Sequence, residues 1–199
     1  MSRPTLTIIA GANGAGKSTL TAGSPGTFGA IPLLDPDAFA NTLRSNETGM
    51  STIAAGKEVL RLAKEHLKRR ESFAVETTLS GKNYLQMMRY ARGIDRGFEA
   101  VLIYIGTERV EINLARIAKR VRAGGHDVPE MDVRRRYLRS LQNLPAAAGI
   151  ADRVLLFDNS DDLGYQPVGL LSRGPHQWFH PLPVWAAELQ TRLSQATNG

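Results

Sequence analysis

The sequence predicts an α/β fold, a three-layer sandwich with helices on both faces of a mostly parallel sheet. Three observations carry this. Apolar, β-branched runs recur at 6–10 (LTIIA), 31–35 (IPLLD), 72–78 (SFAVETT), 99–105 (EAVLIYI) and 153–158 (RVLLFD). Segments with helical spacing separate them, which is a βαβ pattern. Within the last two, AVLIYI and VLLF are continuously apolar rather than alternating, as strands buried on both faces must be. Parallel strands joined by such crossovers carry their ligands at the strands' carboxyl ends.

The elements follow in order. The first strand runs directly into GANGAGKST (11–19), which matches G-x-x-x-x-G-K-[ST], the P-loop. In that motif glycines let backbone N–H groups turn onto phosphates, the lysine reaches the β- and γ-phosphates, and the hydroxyl that follows meets Mg²⁺. The residues expected to hold ATP are therefore Gly11, Ala12, Asn13, Gly14, Ala15, Gly16, Lys17, Ser18 and Thr19, with Ser18 as the metal contact. A helix begins in KSTLTA, and further helices are expected at 51–70, 82–95, 108–123, 130–148 and 183–195. A hairpin or extended pair is expected at 166–179.

Composition narrows the class. With 199 residues, 42% of them hydrophobic and 22% charged, one domain spanning 1–199 is expected, carrying a helical lid at about 108–148 and a C-terminal hairpin plus helix at about 166–196. The absence of cysteine excludes disulfides and thiolate metal sites. No apolar stretch approaches the ~18 residues of a membrane span, and the first strand begins too early for a signal peptide, so no membrane association and a cytoplasmic enzyme are expected. A formal net charge of +6 fits either nucleic acid or a pocket for a polyanionic small molecule.

The surroundings of the P-loop separate reaction classes. A motor needs an apolar strand ending in Asp-Glu. Here VLLFDN follows Asp158 with Asn159, read as a strand-end turn near the adenine, and no N-K-x-D guanine signature occurs. The second and third strands instead end in LLDPDAFA and VETTLSG, placing Asp35 or Asp37, and Glu76, where an acceptor would lie beside a γ-phosphate. Transfer to a hydroxyl needs an oriented base, and Asp37 is the better candidate. Turn chemistry is the alternative: Asp35 can start the Pro36 turn, and Asp37 can cap the next helix. For Glu76 the alternative is an ion pair with an arginine.

Segment 115–144 holds Arg116, Arg120, Arg122, Arg134, Arg135, Arg136 and Arg139, split by GGHDVP. Two helices joined by a glycine hinge can bring arginines over a nucleotide. Arg116 and Arg120 share one helix face and Arg135 and Arg139 another, so most of these arginines are expected on a solvated surface. Arg120 and Arg136 are the expected inward pair, and His126 a turn or packing residue. Aromatics are 7% of the chain and the arginine segment contains only Tyr137, which disfavours base stacking and hence nucleic acid.

Taken in order, GANGAGKST, LDPDAFA, VETTLSG, RVRAGGHDVPEMDVRRRYLRSLQNL and LFDNS, across roughly 5–160, resemble the zeta toxins and their chromosomal relatives. The resemblance implies a P-loop NTPase of kinase-like architecture using ATP and Mg²⁺. It also implies the reaction, phosphorylation of the amino-sugar hydroxyl of a UDP-N-acetylhexosamine. By the same resemblance Asp37 is the base, Glu76 with Thr77 holds the acceptor, Lys17, Arg120 and Arg136 stabilise the phosphates, and Asn159 lies at the nucleotide. The better-known toxins carry Pro-Gly-Ser where this chain has Asn13-Gly14-Ala15, and Glu-Gly-Thr where it has Glu76-Thr77-Thr78. Neither change removes a catalytic group, and both point to a compact branch. The resemblance raises an antitoxin partner, for which the residues supply no signal. The competing readings are a polynucleotide or other nucleotide-type kinase and a regulatory P-loop ATPase.

Overall fold

The computed structural model describes residues 3–24, 26, 30–36, 38–39, 52–93, 97–174 and 176–197. Its seven-stranded sheet has the order β2-β3-β1-β4-β5-β6-β7. The strands are β1 (Thr5–Ala10), β2 (Leu33–Leu34), β3 (Phe73–Thr77), β4 (Glu99–Gly106), β5 (Arg153–Asp158), β6 (Gln166–Ser172) and β7 (Gln177–Trp178). The first five pair in parallel, and β6 and β7 add antiparallel strands at one edge. Among the described residues the helices are α1 (Lys17–Gly23), α2 (Thr52–Arg69), α3 (Asn83–Arg92), α4 (Val110–Arg122), α5 (Glu130–Ile150) and α6 (Val184–Thr197). This is the α/β, mostly parallel architecture that the sequence predicts.

Continuous apolar strands bury both of their faces, with unequal partners. On one face Leu6, Ile8, Phe73, Val75, Leu102 and Tyr104 pack with α2, α3, α5 and α6 through Val59, Met88, Leu144 and Trp185. On the other, Ile9, Ala74, Val101 and Ile103 meet Leu20 of α1 and Ile31. A third, smaller cluster, Ile117, Val128 and Val133, joins α4 to α5. No helix among the described residues is long and apolar enough to cross a membrane.

Some elements differ from expectation in their bounds. The strand expected over 31–35 is two residues long, because Pro32 has no N–H for a ladder and β2 is the sheet edge. The Pro32 carbonyl still accepts from Ala74 N at 2.8 Å. α3 stops at Arg92, ahead of Gly93, and α5 runs two residues past the expected 148, through Pro145. The connection leaving β1 leads toward β2 and the one leaving β4 toward β5, so the chain parts above the β1 and β4 carboxyl ends. Open α/β sheets bind ligands at such a point.

Candidate active site

Residues 11–16 turn from the end of β1 into α1, and the turn depends on backbone that side chains rarely adopt. Gly16 has φ +106, and a Cβ there would stand 2.5 Å from Asn159 Nδ2 and 3.0 Å from Tyr165 Oη. Glycine is the residue that fits. Lys17, 8% exposed, opens α1 and folds its Nζ back to donate to Ala12 O at 3.1 Å.

Parallel pairing brings Glu76 alongside. β1 and β3 run in register Ile9 with Glu76, so the β3 carboxylate arrives level with the strand end from which the loop departs. Glu76 is 5% exposed. Its Oε1 accepts from Ser18 Oγ at 2.9 Å and lies 3.9 Å from Lys17 Nζ. The ion pair that was the alternative reading for Glu76 is present, with a lysine of the P-loop rather than with an arginine. Its neighbour Thr77 accepts from Leu79 N through Oγ1 at 3.0 Å, closing the turn after β3.

Two cavities meet at Lys17 and Glu76. The larger, about 570 Å³, is lined by the P-loop (Asn13, Gly14, Gly16, Lys17, Ser18 and Thr19) together with Arg116, Arg120, Asn159 and Tyr165. The smaller, about 140 Å³, is lined by Asp35, Pro36, Thr77, Thr78, Tyr84 and Arg136 as well as the two shared residues. Asp37 lies outside the described residues. Asp35 lines the smaller cavity, one residue before Pro36.

The arginines divide by what they touch. Arg136 Nη1 donates to Asn13 Oδ1 at 3.2 Å, and its Nη2 lies 4.0 Å from Asp132. Arg120 lines the larger cavity while its Nη2 donates to the His126 carbonyl at 2.8 Å, so His126 contributes a main-chain oxygen to the bend between α4 and α5. Arg134 pairs with Glu130 and Glu111, Arg135 pairs with Asp132, and Arg122 and Arg139 are exposed. Arg116, outside the expected inward pair, also lines the larger cavity. Its Nη1 donates to Asn159 O at 2.6 Å. The signal was available in the spacing, since Arg116 shares its helix face with Arg120.

Asn113 and Tyr165 were also missed, and no local pattern marks either one. Asn113 Nδ2 donates to Asn13 O at 2.7 Å, and Tyr165 Oη donates to Gly16 O at 2.6 Å. Asn159, expected near the nucleotide, lines the larger cavity and donates from Nδ2 to Ala15 O at 2.8 Å. Asp158 is occupied elsewhere, accepting from Trp185 Nε1 at 2.8 Å and from Ser160 N at 3.1 Å.

A family model described as an AAA domain matches residues 6–144. The chain belongs to the AAA domain family. The matched part of this AAA domain contains the P-loop, Glu76 and the arginine segment, whereas Asn159 and Tyr165 lie beyond it. An uncharacterized protein of Haemophilus influenzae is 39% identical over 127 residues, 64% of this chain and 88% of that protein. Among solved structures, the AvrRxo1-ORF1:-ORF2 complex with ATP has a TM-score of 0.69 at 19% identity, covering 96% of this chain and 64% of that one. The PezAT chromosomal toxin-antitoxin system of Streptococcus pneumoniae has a TM-score of 0.62 at 17% identity, covering 100% and 89%. The chain thus spans less than two thirds of the AvrRxo1-ORF1:-ORF2 chain, and at these identities both likenesses are likenesses of fold.

Proposed function

We propose that the protein is an ATP-dependent kinase that transfers the γ-phosphoryl group to a hydroxyl of a small anionic acceptor, of the UDP-N-acetylhexosamine kind. One observation carries this reading: a large cavity around a P-loop and a smaller cavity meet at Lys17 and Glu76. A phosphoryl group bound beside Lys17 in the first is within reach of a hydroxyl in the second. A site built only to hydrolyse or sense nucleotide has no need of the second chamber. The cations Lys17 and Arg136 at the smaller cavity favour an anionic acceptor.

In the transfer the acceptor oxygen bonds to the γ-phosphorus, the bond from that phosphorus to the β,γ-bridging oxygen breaks, and ADP leaves. The acceptor's proton passes to Asp37. Lys17, Arg120 and Arg136 offset the charge on the transferring group. Residues 108–148 act as the lid, bending between α4 and α5 to close the arginines over the phosphates. Ser18 Oγ and the Glu76 carboxylate, 2.9 Å apart, form an all-oxygen pair that suits a hard cation keeping most of its waters. Bound there, Mg²⁺ would supply charge neutralisation at the β- and γ-phosphates. Such chemistry belongs to the cytoplasm, where ATP and sugar nucleotides are present. A PezAT-like fold also makes an antitoxin the protein partner to look for.

The test is incubation with ATP, Mg²⁺ and UDP-N-acetylglucosamine, and separately with a metabolite extract, followed by mass spectrometry. The expected product is heavier by one phosphate. Phosphate release with no modified metabolite would make the protein an ATPase, and a 5′-phosphorylated oligonucleotide would move it to the polynucleotide kinases. Arg120→Ala and Arg136→Ala are expected to lower kcat much more than they weaken ATP binding, because lid contacts are made chiefly in the transition state. A defect confined to KM would assign those arginines to ground-state binding.

A further inference from the structure

The P-loop is gripped from outside the motif by three side chains, each from a different part of the fold. Asn113 of α4, 0% exposed, donates from Nδ2 to Asn13 O at 2.7 Å. Asn159, just past β5, donates from Nδ2 to Ala15 O at 2.8 Å. Tyr165, just before β6, donates from Oη to Gly16 O at 2.6 Å. A main-chain carbonyl only accepts, so each asparagine must turn its NH₂ toward the loop. Thr107 Oγ1 holds the other end of the Asn113 amide, donating to Oδ1 at 2.5 Å. Burial pushes the Tyr165 phenol above its ordinary value, so it remains a donor at neutral pH.

A trans peptide unit is planar, with its C=O and its N–H on opposite sides. Fixing the carbonyl of residue 13 therefore fixes the N–H of Gly14. Fixing those of residues 15 and 16 likewise fixes the N–H groups of Gly16 and Lys17. These are donors that a P-loop turns onto phosphate. Without outside partners, a loop this rich in glycine would visit many other peptide orientations, and nucleotide binding would bear the cost of ordering it.

We propose that Asn113, Asn159 and Tyr165 are positioning residues that hold the loop's phosphate-binding N–H groups in their binding orientation before any nucleotide arrives. The inference rests on the reading of this loop as a nucleotide site and adds how that site is made ready. It also accounts for a glycine that the motif does not demand. Gly14 occupies a free position of G-x-x-x-x-G-K, yet it has φ +78, and a Cβ there would stand 2.7 Å from the Asn113 carbonyl. Close approach of α4 to the loop is what requires it. The same contacts tie the lid to the cradle, because Arg116 of α4 holds the Asn159 carbonyl.

The test uses Tyr165→Phe and Asn159→Ala, with Asn113→Ala as a third variant. Calorimetry would measure the affinity for inorganic tripolyphosphate, a probe that contacts the cradle and no base or sugar pocket, and for ADP. Melting would be measured without ligand, and backbone amide exchange over residues 12–19 would be followed in the ligand-free protein. Tyr165→Phe removes one hydroxyl from a partly buried ring and is expected to melt within a few degrees of wild type. Its tripolyphosphate affinity should fall roughly 3- to 10-fold, the scale of one lost hydrogen bond, with faster exchange at residue 17. Asn159→Ala should act similarly at residue 16. Lower melting temperature with unchanged tripolyphosphate affinity and unchanged exchange would make these residues packing groups and overturn the proposal. If wild type bound neither tripolyphosphate nor ADP, the nucleotide-site reading would fall and take the proposal with it. If wild type bound both and the variants bound equally well, the proposal alone would fall.

Discussion

Lys17→Ala is expected to lose measurable ATP binding and turnover. It is the only charged side chain in residues 11–19, and no other group of the motif can offset charge on the β- and γ-phosphates. Loss of a single preorganised donor at a transferring group costs about 10²- to 10³-fold in rate, and a buried cation is worth at least as much. The structure adds a second consequence. Lys17 Nζ lies 3.9 Å from the buried Glu76 carboxylate, so the substitution also takes away the cation beside that carboxylate and should lower the melting temperature. The measurement is therefore calorimetry with ATP at a temperature where the variant is shown to be folded by circular dichroism. Unchanged affinity and turnover would remove the P-loop assignment.

Asp37→Asn is expected to lower acceptor phosphorylation by at least ~10²-fold while ATP still binds, because it keeps the side chain's size and loses the proton acceptor. Glu76→Gln is expected to behave differently, raising the acceptor's KM. Because Glu76 accepts from Ser18 and lies near Lys17, the Gln variant should also raise the Mg²⁺ concentration needed for half-maximal rate. Wild type and both variants would be compared for ATP affinity by calorimetry, and for product formation by mass spectrometry over a range of acceptor and Mg²⁺ concentrations. Near-normal transfer by Asp37→Asn would leave that residue as a helix cap and the kinase mechanism without its base.

What could be read ahead of the structure was local. The apolar runs of β1, β4 and β5 are strands in place, since continuous burial on both faces of a parallel sheet leaves its mark in consecutive residues. Gly16 and Lys17 stand at the start of α1 because the P-loop is a contiguous motif whose geometry its own residues impose. Legibility failed where a neighbouring strand or helix set the outcome. β2 shortened because Pro32 came to lie at the sheet edge, and Glu76 paired with a lysine because β3 ran beside β1. Arg116 turned inward because the carbonyl of Asn159 stood within reach of α4.

By itself the sequence determined the α/β alternation, the phosphate loop, and which residue types could do chemistry at the ends of the early strands. Each of these is a property of neighbouring positions, governed by side-chain periodicity and by the backbone freedom of glycine. Only the tertiary structure decided that Lys17 and Glu76 would form the wall between two cavities, and which side chains would hold the loop. The partners of Asn13, Ala15 and Gly16 lie 100, 144 and 149 residues further along the chain. Contacts at such separations follow from strand order, which places β4 directly beside β1 and β5 beside β4, and no local pattern of residues encodes that proximity.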